Sequence, residues 1–359
     1  MSPSSPALVA IRPDDGGTWQ TLEIRDGGYA VPIAARFTLV VVCAHWAGSY
    51  VEVRHWTAGD NHDFALSCLG FDGEPLSDLH PTFAPGEVIQ TVATGGMHER
   101  CSNSGSDWCR LRNGTHDAIA LHGARDVQRA RIIRDFQIFD GARFDADASK
   151  GWLPDRRTLE VVSDFHGGNG SVYTLLETRR GDALLYSGKT YWGKFPDHVE
   201  QEYLRVPDAE RLATDCDVLE VQGTRMCLRD APRTRIEIKT REVPPMRYDS
   251  GAHTLVFSLA DADALNVSVR SGGSSSPSWN IIATRRWLGD ATQYTLPELA
   301  TIPGWRPVWS HAVGERIDGR LIWGPKPSSH QSRPRLWQPL RPGDRMDTAG
   351  ANVETGSPK

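Results

Sequence analysis

The sequence predicts an all-β protein made of several small β-sandwich domains in series. Short runs rich in β-branched and aromatic residues recur along the chain, and small or polar residues separate them. The composition includes 34 Gly, 23 Pro and 12 Trp, which suits many short strands joined by turns. Helical periodicity is nearly absent, and the sequence predicts only one or two helical turns, at residues 207–213.

The stretch from residue 36 to residue 70 shows the strand pattern best. Apolar runs at residues 37–43, 50–56 and 63–68 are separated by segments that contain Gly48 and Gly59. In the middle run Glu52 and Arg54 alternate with valines, which predicts a half-buried strand with its charged side chains facing water. The first run places every second residue, from Phe37 to Cys43, on one apolar face.

Turn and composition signals divide the chain into predicted segments. Residues 1–7 are rich in Ser and Pro and are expected to be disordered, as is the polar tail at 344–359. Between them the sequence predicts β-domains at residues 8–70, 71–150, 151–245 and 246–343, with Pro244 and Pro245 at the last boundary. Asn113-Gly114 between two apolar runs predicts a tight hairpin within the second domain.

Charge and motif content exclude several functions. The formal net charge is -5, so the sequence gives no electrostatic reason to expect a nucleic-acid partner. No apolar run approaches the roughly 18 residues that a membrane-spanning helix needs, so no transmembrane segment is expected. The GxSxG, GxGxxG, HExxH and Walker patterns are absent, and no cofactor is expected.

The six cysteines form three pairs of sequence neighbours. Local pairing predicts the disulfides Cys43–Cys68, Cys101–Cys109 and Cys216–Cys227, although buried free thiols remain an alternative. Disulfides favour an extracytoplasmic location: periplasmic, cell-surface or secreted. The first residues lack a basic segment followed by an apolar one, so a removed leader, a misplaced start and a cytosolic protein all stay open.

Two polar loops contain weak candidates for metal binding or acid–base chemistry. His62 and Asp63 lie in an Asp-Asn-His-Asp run between two predicted strands, and His166 precedes the glycine-dense turn that ends at Gly170. Asp, Asn and Gly also favour turns for backbone reasons alone. Ordinary surface turns are therefore the leading interpretation of both loops.

Tryptophan is concentrated in the last predicted domain. The candidates for a ligand-binding surface are Trp279, Trp305, Trp309 and Trp323. Exposed and coplanar rings would stack on the apolar faces of sugars, whereas buried rings would fill the space between two sheets. The core interpretation is favoured over the platform.

Two groups of motifs resemble known bacterial proteins. Leu-Arg-Asn-Gly-Thr-His-Asp-Ala-Ile-Ala-Leu at residues 111–121 resembles the end of a carboxypeptidase-regulatory-like module, although His116 stands where that pattern has Tyr. Gly-Thr-Trp-Gln-Thr-Leu at 17–22, Gly-Gly-Tyr at 27–29, Val-Cys at 42–43 and the run from Tyr294 to Trp305 resemble uncharacterised bacterial cell-envelope proteins with several β-sandwiches, often lipoproteins. The resemblance implies sandwiches of the immunoglobulin, transthyretin or fibronectin-III-like kind.

The expected function follows from this resemblance and from the absence of a catalytic motif. A non-catalytic extracytoplasmic scaffold, adhesin or ligand-binding protein of the cell envelope is expected, with a cell-surface glycan or an envelope protein as its partner. One alternative is a carbohydrate-binding or carbohydrate-active protein that uses the Trp-rich last domain. A less favoured alternative is a metal-dependent hydrolase that uses His62, Asp63 or His166.

Overall fold

The computed structural model describes residues 6–24, 35–45, 48–60, 76–85, 90–93, 100–103, 110–112, 114–123, 127–153, 155–165, 169–178, 183–213, 215–221, 223–228, 233–270, 277–310, 316–324, 345–351 and 353–356. The first strands are β1 (Leu8–Pro13), β2 (Gln20–Thr21), β3 (Arg36–His45), β4 (Gly48–Thr57), β5 (Leu76–Asp78), β6 (His80–Thr82), β7 (Gln90–Ala93), β8 (Arg100–Ser102), β9 (Arg110–Arg112), β10 (Gly114–His122), β11 (Arg129–Ile138), β12 (Arg143–Asp145) and β13 (Asp155–Ser163). The remaining elements are β14 (Gly170–Glu177), β15 (Ala183–Tyr191), β16 (His198–Arg205), β17 (Cys216–Val221), β18 (Thr224–Cys227), β19 (Arg233–Ile238), β20 (Met246–Asp249), β21 (Thr254–Val256), β22 (Ala264–Arg270), β23 (Ser278–Thr284), α1 (Arg285–Leu288), β24 (Gln293–Thr295), β25 (Arg316–Trp323), β26 (Arg345–Ala351) and β27 (Val353–Gly356). The predicted all-β class is confirmed, and the predicted helical turn at 207–213 is a 3-10 turn at Asp208–Glu210.

The chain folds into two compact units. Unit 1 comprises Met1–Gly73, Arg241–Gln331 and Met346–Lys359, and unit 2 comprises Glu74–Thr240 and Ser332–Arg345. Unit 2 is therefore inserted into the sequence of unit 1. The finer division into four β-domains stays a prediction.

Two sheets enclose the main core of unit 1. In the larger sheet the strand order within this unit is β26-β25-β22-β23-β4-β3-β1-β2, and the smaller sheet has the order β24-β21-β20-β27. β4 and β23 pair in parallel and so join the first and last parts of the chain in one sheet. Apolar side chains from both sheets, such as Val53, Leu255, Val267 and Leu321, form one continuous buried cluster.

The hairpin of β3 and β4 is buried on both faces, which differs from the sequence-based prediction. Val51 and Val53 belong to the main core, while Phe37 and its predicted face-mates lie in a second apolar cluster across the sheet. Glu52 and Arg54 are buried as an ion pair instead of facing water. The mutual neutralisation of the two charges makes this burial possible, and alternation alone could not predict it.

Unit 2 contains three larger sheets with two separate apolar cores. The strand orders within this unit are β11-β10-β7-β8, β16-β13-β19 and β15-β14-β17-β18, with two-stranded sheets β12-β6 and β5-β9 beside them. One core lies among residues 79–148 and the other among residues 159–238. A third cluster around Ile119, Leu176 and Val206 contains residues from both of these sequence regions.

The structure corrects two local predictions. The tail at 344–359 was expected to be disordered, but β26 pairs with β25 and β27 pairs with β20. Backbone pairing holds this polar segment, so it needs no apolar periodicity of its own. Asn113 of the predicted Asn113-Gly114 hairpin lies outside the described residues, but the strands on its two sides are not paired as a hairpin, because β9 pairs with β5 whereas β10 pairs with β11 and β7. Residues 1–5 and the predicted strand at 63–68 lie outside the described residues.

Candidate functional site

A chain of buried polar side chains runs through unit 1. Thr38 on β3 lies opposite His55 on β4, and its Oγ1 is 2.8 Å from His55 Nδ1. The same hydroxyl donates to Asp14 Oδ1 at 2.8 Å. On the other side of the ring, His55 Nε2 is 2.6 Å from the hydroxyl of Tyr294 on β24.

The hydroxyl proton of Thr38 fixes the direction of each hydrogen bond in this polar network. Because Thr38 gives its single hydroxyl proton to the Asp14 carboxylate, it can only accept from His55 Nδ1–H. A neutral imidazole that donates from Nδ1 must accept at Nε2, so Tyr294 donates its hydroxyl proton there. All three protons thus point toward Asp14.

The surroundings hold both ring systems in their neutral forms. Burial, together with the charges of Arg12 and Arg36, lowers the pKa of His55 from 6.5 to about 3. Burial and the nearby Asp14 carboxylate raise the pKa of Tyr294 well above its usual value. Neither group changes its charge near neutral pH, so this network is suited to positioning strands and unsuited to proton transfer at that pH.

A short helix adds an aromatic cover to this network. Thr284 caps α1 by accepting from Trp287 N–H at 3.3 Å, and Gly289 ends the helix at a φ of +59°. This turn holds the Trp287 ring 4.2 Å from the His55 ring, with the Arg36 guanidinium 4.4 Å from the indole. Trp287 Nε1 also donates to Asp14.

A second buried polar cluster lies in unit 2. The strand register of β10 and β11 shifts at Asp117, and this bulge directs the Asp117 carboxylate to the backbone N–H of Asp135 at 3.0 Å and to Arg134 at 3.2 Å. The Arg134 guanidinium also binds the Asp215 carboxylate through both terminal nitrogens. Partial burial lowers the pKa of Arg134, but its bonds to the two aspartates outweigh that effect and raise it.

Further ion pairs continue this cluster toward β16 and β17. Asp217 accepts from Arg211 at 2.8 Å and lies 3.6 Å from Arg205, which also pairs with Asp208 at 2.8 Å. Each buried carboxylate thus faces a guanidinium, which offsets the desolvation of both charges. The cluster ties the β10–β11 hairpin to the segment between β16 and β17.

The four tryptophan candidates lie in or against the core of unit 1. Trp279, Trp309 and Trp323 are buried, and Trp305 is half-buried against the same apolar cluster. The indole of Trp279 donates to the backbone carbonyl of Trp309 at 2.8 Å, while Trp305 stacks edge-on between these two rings. Trp323 donates to Asp261 at 2.7 Å. These positions correspond to the core alternative, and a ligand role for the four residues stays a prediction.

The three residues predicted as metal-ligand candidates, His62, Asp63 and His166, lie outside the described residues. Within the described ranges, no three histidine, cysteine, aspartate or glutamate side chains come together as a metal site.

One of the three predicted disulfides can be compared with the structure in full, and the other two only in part. Cys216 and Cys227 are joined, with 5.8 Å between their Cα atoms, so this pairing is confirmed. Cys43 and Cys101 are also disulfide-bonded. Their predicted partners, Cys68 and Cys109, lie outside the described residues. The confirmed bond fits an oxidising compartment.

One exposed surface in unit 2 was missed in the sequence analysis. Tyr173 on β14 lies opposite Gly188 on β15, and a Cβ added to this glycine would stand 2.1 Å from a Tyr173 ring atom, so one edge of the ring occupies the space beside the glycine. The Tyr173 hydroxyl is 3.0 Å from Thr190 Oγ1, to which Ser171 Oγ donates at 3.3 Å. The next tryptophan in the chain, Trp192, is 79% exposed.

We call the surface formed by Ser171, Tyr173, Gly188 and Thr190, together with Trp192 directly after the end of β15, the tyrosine face. Glu220 on β17 extends it, because this residue lies opposite Tyr173 on the other side of β14. The signal in the sequence is the Ser-Val-Tyr alternation followed by Thr-Tyr-Trp-Gly near the next turn. Strand pairing was needed to show that Ser171, Tyr173, Gly188 and Thr190 meet.

No protein-family profile matches this chain, and no curated protein matches it. No helix of the described residues is long and apolar enough to cross a membrane.

Proposed function

We propose that this chain is a non-catalytic, extracytoplasmic protein of the cell envelope that acts by binding, as a scaffold, an adhesin or a ligand-binding protein. The observation that carries the proposal is how its buried ionisable groups are used. In unit 1 the histidine, tyrosine and aspartate of the polar network contact one another inside the fold. In unit 2 the buried aspartates contact arginines. Both sets act as internal ties between strands.

The physical argument rests on what catalysis would require of these groups. A general acid or base must reach a substrate and change its protonation near the operating pH. His55 is 2% exposed and has its pKa held at about 3. Tyr294 is also buried, with its pKa raised. Such a network stabilises a rigid sandwich, and rigid sandwiches present binding surfaces well.

The cell-envelope assignment rests on two further supports. The Cys216–Cys227 disulfide fits an oxidising compartment. The motifs at residues 17–22, 27–29, 42–43 and 294–305 resemble bacterial envelope proteins, and residues 111–121 resemble the end of a carboxypeptidase-regulatory-like module. We include membership of such a multi-sandwich group, with a carboxypeptidase-regulatory-like module, as part of the proposal.

Co-sedimentation with isolated bacterial envelope fragments tests this function. The full, disulfide-intact chain is expected to sediment saturably, and excess unlabelled chain should compete with labelled chain for the fragments. A parallel panel of ester, peptide and glycoside substrates should show no turnover. Sedimentation that never saturates would refute the binding role. Turnover that disappears in His55→Gln would identify an enzyme instead.

A further inference from the structure

We propose that the tyrosine face binds a saccharide, whose ring would stack on Tyr173 and Trp192 while its hydroxyl groups bond to Ser171 and Thr190. This inference rests on the proposed binding role and adds the ligand class and the site. It also moves a carbohydrate site away from the four tryptophan candidates of unit 1, of which Trp279, Trp309 and Trp323 are buried.

The first argument is the close packing of the Tyr173 ring against Gly188. Because Gly188 has no side chain, one edge of the ring occupies space that a Cβ would need. The ring also packs against the cluster of Leu175, Val218 and the Cys216–Cys227 disulfide. A half-buried aromatic ring that is held in this way offers its exposed part to a ligand at low entropic cost.

The second argument is the chemistry beside the ring. Tyr173, Thr190 and Ser171 form an exposed row of three hydroxyl groups linked by hydrogen bonds of 3.0 and 3.3 Å. A hydroxyl can donate or accept, and so can each hydroxyl of a sugar. A sugar ring combines one apolar C–H face with polar edges, which matches an aromatic plane bordered by hydroxyl groups.

The third argument is that Trp192 is exposed but anchored. Tyr191, directly before it, pairs with Gly170, and Gly193, directly after it, donates its N–H to Asn169 Oδ1 at 2.6 Å. The backbone is therefore held on both sides of a side chain that is 79% exposed. A large aromatic residue fixed in this position is typical of a contact surface.

Other occupants fit the surface less well. A nucleic acid would also stack on aromatic rings, but Glu220 lies opposite Tyr173 and the net charge is -5. A protein partner would favour a broader apolar patch, whereas the hydroxyl groups of Ser171 and Thr190 border the Tyr173 ring. We therefore choose a neutral oligosaccharide as the occupant.

Calorimetric titration of the full chain with cellohexaose, xylohexaose, mannohexaose and chitohexaose tests the proposal. At least one of these probes should bind saturably. Trp192→Ala and Tyr173→Ala should each weaken that binding by about tenfold or more, since each removes one stacking surface. Gly188→Ala should also weaken it, because the added methyl group displaces the Tyr173 ring while every sugar-contacting side chain of the proposed site remains present.

Phe139→Ala is the matched control. This aromatic residue of unit 2 is 59% exposed but is not part of the tyrosine face, so its loss should leave sugar affinity unchanged. Thermal melting of every variant checks that the fold is intact, and Trp192→Ala should melt like the wild type because its side chain is exposed.

Three outcomes would overturn the proposal. No saturable binding of any of the four probes would reject the saccharide assignment. If sugar binding is unchanged in both Trp192→Ala and Tyr173→Ala, the sugar binds elsewhere on the protein. If Phe139→Ala loses as much sugar affinity as these two variants, the losses are not specific to the tyrosine face. If wild type and Trp192→Ala both sediment saturably with envelope fragments while no sugar binds, the binding role stands and this inference falls. If neither sediments, the binding role itself fails.

Discussion

The buried histidine of unit 1 should make the stability of that unit depend on pH. In the folded state the pKa of His55 is about 3, whereas its ordinary value is 6.5. Between these two values the unfolded chain binds a proton that the folded chain does not. The contribution of His55 to the free energy of unfolding is therefore at its full value above about pH 6.5 and decreases as the pH falls toward 3.

The size of the effect follows from the same two values. One pKa unit corresponds to about 1.4 kcal/mol. The difference between 6.5 and about 3 thus amounts to roughly 4–5 kcal/mol at the acid end of the window, of which about 3 kcal/mol is lost by pH 4. Charging His55 would set a cation near Arg12 and Arg36 and would end its acceptance of the Tyr294 proton.

Urea unfolding at several pH values between about 7 and about 4, followed by tryptophan fluorescence, measures this loss. His55→Gln removes the titrating group and keeps an amide that can donate and accept, so its unfolding free energy should fall less steeply with decreasing pH. The difference in slope should approach one proton within the window. Val308→Ala, at a site that is 62% exposed in the same unit, serves as the control with the wild-type slope. Equal slopes for wild type and His55→Gln would refute the argument.

Three further predictions concern stability. Trp279→Ala should lower the unfolding free energy by about 3–5 kcal/mol in urea, because it removes a buried indole and its bond to the core backbone; a loss below about 1 kcal/mol would contradict its core role. Arg134→Leu should cost about 3–5 kcal/mol, since it leaves two buried carboxylates without their cation, and calorimetric melting at the wild-type temperature would disprove this. Deleting residues 345–356 should lower the melting temperature of unit 1 by several degrees, because β26 and β27 each pair with a strand of that unit; unchanged melting would show that these pairings contribute nothing.

Local sequence was sufficient to predict much of the architecture. The alternation of apolar residues from Phe37 to Cys43 and of the valines in β4 predicted two strands and the faces that they bury. Proximity in sequence predicted the Cys216–Cys227 bond, since two short strands joined by a tight connection bring the cysteines together. These features depend on residues fewer than about twelve positions apart, where backbone geometry limits the possible arrangements.

Tertiary structure alone decided which polar residues meet. His55 and Tyr294 are 239 positions apart, and Thr284 reaches Asp60 across 224 positions. Their contacts depend on which strands become neighbours, and no local pattern specifies that choice. For the same reason, the alternation of Glu52 and Arg54 with valines predicted that both charges face water. In the structure they form a buried ion pair on the face of the sheet that carries the second apolar cluster. The tyrosine face likewise exists because β15 pairs with β14 in the register that sets Gly188 opposite Tyr173 and Thr190 opposite Ser171.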